Sequence, residues 1–175
     1  MSLHDCQHSF EELTAEVFPL YFSMLEKQLN QPTKLKDVLE NQFLIPSCAG
    51  CYVISLNQSA KYVGIAKNIR KRLQDHLSTE PSRANLSVRI TAKRLNLTLK
   101  HIKKYESFLK EFNLTCDDLV ENYSIAWVTI ENPLEMYIFE PYCAMKLNTI
   151  EYNFFDTLQI LSPKYSKQAL NNESN

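Results

Sequence analysis

Glycine is nearly absent from this 175-residue chain: there are two, Gly50 and Gly64, where average usage of about 7% would give roughly twelve. Both lie in one short segment, which points to a backbone need there, either a positive φ or the close approach of another group. Long apolar runs are missing as well, and none nears the roughly 20 residues of a membrane span. Met1 to Glu12 lacks a basic region followed by an apolar stretch, so no signal peptide is expected and a cytoplasmic protein is. Metal-spaced cysteine pairs are lacking too. Of Cys6, Cys48, Cys51, Cys116 and Cys143, only Cys48 and Cys51 form a CxxC, and no second pair accompanies them for zinc. The Tyr-Val-Ile-Ser-Leu after Cys51 reads as a strand, where a thioredoxin-type site needs a helix N-terminus. Free thiols in a reducing compartment fit this pattern.

What remains is ordinary globular material, 45% hydrophobic and 22% charged, of a length that favours one domain. The net charge of −1 hides an asymmetry. Lys61 to Lys104 holds twelve basic residues and two acids, and the rest of the chain holds seven basic and eighteen acidic residues. A local basic field is what contact with a polyanion requires, but solvated helices with basic outer faces would have the same composition.

Ser9 to Asn30 reads as a helix opened by a capping box in Ser9 and Glu12, with Pro19 expected to kink or split it. A short helix is expected over Lys34 to Asn41. Gly50 to Leu56 and Lys61 to Ile65 read as strands around a turn-like Asn57 to Ala60. Ile69, Leu73 and Leu77 make one apolar stripe on a helix from Lys67 to Leu77. Basic amphipathic segments follow at Asn85 to Leu95 and Leu99 to Phe112, and Thr115 with Asp118 suggests a cap for another short helix. Tyr123 to Ile130 is a third strand, and Pro133 opens a nearly all-apolar helix to about Lys146, with Pro141 expected to bend it.

Chemistry-bearing residues gather on the hairpin and the helix after it. Gly50-Cys51-Tyr52 is followed, nine residues on, by Tyr62-Val63-Gly64, then by Arg72 and His76. Arg72 and His76 are i and i+4 and lie along one edge of the apolar stripe, either lining a site or flanking the stripe at the surface. Residues 52 and 62 have the same parity. A plain four-residue turn would put the two tyrosines on opposite faces, and sharing a face requires an odd loop or a bulge.

This combination resembles the GIY-YIG nuclease superfamily from about Gly50 to Asn153. Gly50-Cys51-Tyr52 stands for the first triplet and Tyr62-Val63-Gly64 for the second. The resemblance implies Arg72 as the family arginine, in preference to Arg70 on the outer face, and His76 as the histidine one turn later. It implies a metal-binding glutamate at Glu140, with Glu135 the rival, and a closing asparagine at Asn153 or Asn148, with Thr149 where proline is usual. The implied catalytic set is Tyr52, Tyr62, Arg72, His76 and Glu140, supported by Gly50, Gly64, Lys67 and Asn153. In the family the first tyrosine helps deprotonate the attacking water and the second orients groups around it.

The implied fold is α/β, a small, about three-stranded antiparallel sheet flanked by helices. Residues 1–46 form a helical extension, 47–160 the nuclease domain with a basic insertion at about 82–121, and 161–175 a tail. The implied function is metal-dependent hydrolysis of DNA phosphodiester bonds, restriction-like or tied to defence or repair. A catalytically inactive GIY-YIG-like module binding DNA or protein is the alternative. The cofactor would be Mg²⁺ or Mn²⁺, since a hard cation needs one or two carboxylates and keeps its other waters. The partner would be DNA, double-stranded because the basic segments carry few aromatics for stacking. Arg83, Arg89, Lys93, Arg94, Lys100, Lys103 and Lys104 are the expected backbone contacts, outside the catalytic centre. No membrane partner is expected, and no feature of the sequence demands a homo-oligomer.

Overall fold

The computed structural model of the chain describes residues 6–97, 106–149 and 152–153. Lys100, Lys103, Lys104 and the tail from residue 154 lie outside the described residues.

Ser9 caps α1 (Phe10–Glu12) through the expected reciprocal box with Glu12. The chain then widens into a π-helical stretch, Leu13–Val17, before α2 (Phe18–Leu29). The Phe18 N–H donates to Leu13 O, so the turn ahead of Pro19 is already loosened, and the expected break at Pro19 becomes a wide turn. Next come a two-residue strand β1 (Thr33–Lys34), α3 (Leu35–Glu40) and a 3₁₀ turn at Gln42–Leu44.

The hairpin β2 (Gly50–Leu56) and β3 (Ser59–Ala66) turns through two residues only, Asn57 and Gln58, at φ 50° and 64°. Two successive positive φ values give a primed turn whose twist matches the strands it joins. That is why β3 starts earlier than the turn-like composition of Asn57 to Ala60 suggests. Helix α4 (Ile69–His76) follows, with Asn68 as its cap, then α5 (Asn85–Arg94), α6 (Glu106–Asn122), β4 (Tyr123–Thr129) and α7 (Pro133–Leu147).

The sheet has four strands in the order β1-β4-β2-β3, all neighbours antiparallel, one strand more than expected. The extra one, β1, is too short for an alternating pattern to reveal. Helix α6 runs through Thr115 and Asp118, where a new helix start was expected. The Thr115 Oγ1 donates to Glu111 O at 2.9 Å, one turn back, so it serves the helix interior and caps nothing. Helix α7 continues past Pro141 and stops at Asn148, which takes the left-handed conformation at φ 53°.

Two cores sandwich the sheet. Cys51, Val53, Val63 and Val128 face α2 and α7, where Phe18 meets Phe139 at 5.5 Å between ring centres. The opposite face, with Tyr52, Ile54 and Ile125, is covered by Leu35, Val38, Ile69, Leu73 and Leu86 from α3, α4 and α5. The N-terminal helices therefore contribute to both cores. A third cluster, with Phe108 stacked on Phe112, joins α5 to α6. Among the described residues no helix is long and apolar enough to cross a membrane.

Candidate active site

A regular hairpin with this two-residue turn would pair Val53 with Tyr62 and leave Tyr62 on the face opposite Tyr52. The observed register starts that way, Leu56 with Ser59 and Ser55 with Ala60, then shifts to Ile54 with Tyr62 and Tyr52 with Gly64. Lys61 is the extra residue. Its bulge moves every later side chain of β3 to the other face, which brings Tyr52, Tyr62 and Gly64 together.

Both glycines answer close approach, and neither has a positive φ. A Cβ on Gly64 would sit 2.5 Å from Tyr52 Oη and 2.8 Å from Tyr62 Cε1, inside the space the two rings occupy. A Cβ on Gly50 would collide with the carbonyl oxygen of Val128 on the neighbouring strand.

Helix α4 adds the other two groups. The rings of Tyr52, Tyr62 and His76 sit mutually 5.5–6.2 Å apart between centres. Tyr52 Oη and His76 Nε2 are hydrogen-bonded at 2.7 Å, and both residues are fully buried. Arg72 is half-buried and interacts with both phenols. Burial raises the Tyr52 hydroxyl well above its usual value, and the charge of Arg72 acts the other way. Burial, with Arg72 adding to it, lowers the His76 pKa to about 3, so the imidazole is neutral at physiological pH. The buried pair Tyr52–His76 thus lies behind a half-buried front of Tyr62 and Arg72. Lys67 is exposed in the link between β3 and α4.

The rival carboxylates part company on α7. Glu135 is buried on the α2 side, where it accepts a hydrogen bond from Tyr21 Oη at 2.9 Å, and it lines a polar hollow of about 460 Å³ with His8, Tyr21 and Glu131. Burial first, then Glu135, pushes the Tyr21 pKa up to about 12. Glu140 is half-buried and shares its surroundings with Arg89; burial raises its carboxyl and the Arg89 charge lowers it. Arg89 also lowers the His76 pKa, after burial and Arg72.

The two asparagines separate as well. Asn148 is the left-handed stop of α7, and Asn153 is buried with both ends of its amide on Val63. Val63 N–H donates to Asn153 Oδ1 at 2.8 Å, and Asn153 Nδ2 donates to Val63 O at 2.6 Å.

The basic insertion holds its charges inward more than expected. Arg83 is paired with Asp75 at 2.7 Å, and Arg94 with Asp118 at 2.6 Å and Glu111 at 3.5 Å. Arg89 Nη1 donates to Tyr152 O at 2.7 Å, and Lys93 Nζ lies 5.4 Å from the centre of the Tyr152 ring. The involvement of Arg89 has one trace in the sequence, its i, i+4 spacing from Lys93; what the pair grips comes from a distant part of the chain. The CxxC stays unpaired: Cys48 and Cys51 are free, and Cys48 Sγ sits 3.3 Å from Thr129 Oγ1. Among the described residues no cluster of three or more His, Cys, Asp or Glu is placed to hold a metal.

Comparison with known proteins gives concordant matches. The family model of the GIY-YIG catalytic domain matches residues 48–148. Endonuclease II of Enterobacteria phage T4 is 28% identical over 91 residues, covering 51% of this chain and 67% of that protein. A crystal structure of the GIY-YIG N-terminal endonuclease domain of UvrC from Thermotoga maritima, bound to its catalytic magnesium, is 16% identical. It covers 67% of this chain and 97% of that one, with a TM-score of 0.39. A point mutant of the same domain is 17% identical, covers 67% and 96%, and has a TM-score of 0.37.

Proposed function

Because the chain belongs to the GIY-YIG nuclease family, we propose that it is a divalent-metal-dependent endonuclease that hydrolyses phosphodiester bonds of double-stranded DNA. The observation that carries this reading is the bulge at Lys61, which sets Tyr62 beside Tyr52 against Arg72 and His76. A binding module has no need of that register.

The chemistry follows from the environments. Arg72, half-buried and permanently charged, offers planar donors to the non-bridging oxygens of a phosphate entering over Tyr62. The Tyr52 hydroxyl, kept protonated by burial, shares a hydrogen bond with neutral His76 Nε2. That bond fixes the phenol ring, and the remaining lone pair of the Tyr52 oxygen is the acceptor offered to the attacking water. Tyr62, on the half-buried front, orients that water.

Glu140 is the residue to hold Mg²⁺ or Mn²⁺. A desolvated carboxylate suits a hard cation that keeps several waters, and the charge of Arg89 favours the ionised form that would bind it. When bound, the cation neutralises the phosphate and stabilises the leaving oxygen. Residues 1–46 act as a helical extension of a nuclease domain spanning 47–160. The insertion at 82–121 borders the DNA path, in a restriction, defence or repair setting. The free thiols suit the cytoplasm.

Incubating the full chain with supercoiled plasmid tests the reading. Nicked or linear product is expected with Mg²⁺ or Mn²⁺ and none with EDTA. Intact plasmid under every metal condition, with DNA still bound, would favour the inactive module.

A further inference from the structure

Asn148 N–H and Thr149 N–H close α7 on Met145 O and Ala144 O, at 3.3 and 3.1 Å, and Tyr152 N–H and Asn153 N–H donate to Thr149 O, at 3.3 and 3.1 Å. A second anchor comes from α5. Arg89 Nη1 donates to Tyr152 O at 2.7 Å, and Lys93, one turn later on the same face, lies over the Tyr152 ring at 5.4 Å. The next residue is Asn153, whose amide occupies the Val63 N–H and C=O. Among the described residues β3 is at the sheet edge, with no strand beyond Val63, and the side-chain amide bonds its backbone on that side.

Val63 sits between Tyr62 and Gly64, two residues after the bulge. A one-residue slip of β3 would undo the pairing of the two tyrosines. We propose that Arg89 is a positioning residue of the site: by gripping Tyr152 O it seats Asn153 on Val63 and locks the bulged register that presents Tyr62 to Tyr52. The effect on cleavage rests on the endonuclease reading; the coupling of Arg89 to Val63 does not. Arginine carries five donors, so one inward bond does not forbid a phosphate contact, and the two roles are separated by experiment.

Amide hydrogen exchange at Val63, followed by NMR on the full chain without DNA, reads the coupling directly, because exchange there requires the Asn153 cap to open. Arg89→Ala should speed exchange at Val63 by about tenfold, the effect of losing roughly one hydrogen bond. Asn153→Ala should do the same, and Val53, inside the sheet, should be unaffected. Arg89→Lys, which keeps a donor and a charge, should restore part of the protection. It also serves as the measured variant should Arg89→Ala fail to fold.

With plasmid, Arg89→Ala should lower kcat at saturating DNA while half-saturation and salt dependence hold. The double variant Arg89→Ala/Asn153→Ala should be no slower than Asn153→Ala alone. Unchanged Val63 exchange in folded Arg89 variants overturns the proposal. So does a salt slope that falls by about one unit with kcat retained, which marks a phosphate contact. A wild-type chain that cuts nothing overturns the endonuclease reading instead, and the exchange arm still decides the role of Arg89.

Discussion

The tyrosine face of the sheet and the α5–α6 insertion beside it are both dense in polar side chains, and they use them in opposite ways. On the sheet face, Tyr52, Tyr62, Arg72 and His76 turn toward one another, with no carboxylate hydrogen-bonded to any of them among the described residues. In the insertion, Arg83 and Arg94 are matched to Asp75, Asp118 and Glu111, and Arg89 reaches a backbone carbonyl. The richest basic stretch of the sequence is therefore partly neutralised within the fold. An acid outside the stretch in sequence, such as Asp118, meets it in space, so a charge count along the chain overstates the field at the surface.

Removing the bulge should break this contrast most severely. Deleting Lys61 restores a regular hairpin and sends Tyr62 to the opposite face, so cleavage should vanish even in molecules that still fold. Lys61→Ala keeps the backbone and should stay within about 0.5 kcal/mol of wild type in stability, with cleavage retained. Denaturant melts paired with the plasmid assay read both, and an active deletion variant would detach the register from the chemistry.

The two glutamates sharpen it next. Glu140→Gln should lower kcat by on the order of 10²–10³ with folding intact, while Glu135→Gln, which disturbs the bond from Tyr21, should lower the melting temperature and leave kcat near wild type. The reverse result would assign the proposed metal to Glu135, beside Tyr21 of α2.

The buried histidine gives a pH signature. His76 titrates at about 3 in the fold against 6.5 unperturbed, so the unfolded chain binds the extra proton between these values. Its contribution is fully present above pH 6.5 and is lost as pH falls toward 3, at up to about 1.4 kcal/mol per pH unit. Urea melts from pH 7 to pH 4 should carry this slope in wild type. His76→Gln should lack it, and identical slopes in the two proteins would contradict neutral burial.

The smallest effect is expected in the insertion. Arg94 is more than a third exposed and already ion-paired, so Arg94→Ala should cost less than about 1 kcal/mol. It should change the salt slope of DNA binding by less than one unit, because a phosphate would have to displace Asp118 first. A full unit, measured by titration across salt, would mean the pair opens readily.

How much of this was legible in the sequence differs from residue to residue. Arg72 and His76 could be paired in advance because helical spacing alone sets them on one side of α4. Glycine scarcity marked Gly50 and Gly64 as positions of backbone need, though close approach and not φ proved to be the reason. Choosing between Asn148 and Asn153, or Glu135 and Glu140, was beyond spacing, since each pair differs only in what it meets across space. The strand β1 and the unbroken α6 escaped for local reasons: two residues show no alternation, and Thr115 serves a cap or a helix interior equally well.

By itself, the amino-acid order determined the elements with strong periodicity, the tyrosine–glycine hairpin and the helix that follows it. Those depend on interactions between residues a few positions apart. Only the tertiary structure decided that Lys61 would bulge, that Asp118 would claim Arg94, and that Tyr152 and Asn153 would return to link α5 with the edge of β3. These are contacts between distant segments, and their energies depend on packing that no local pattern records.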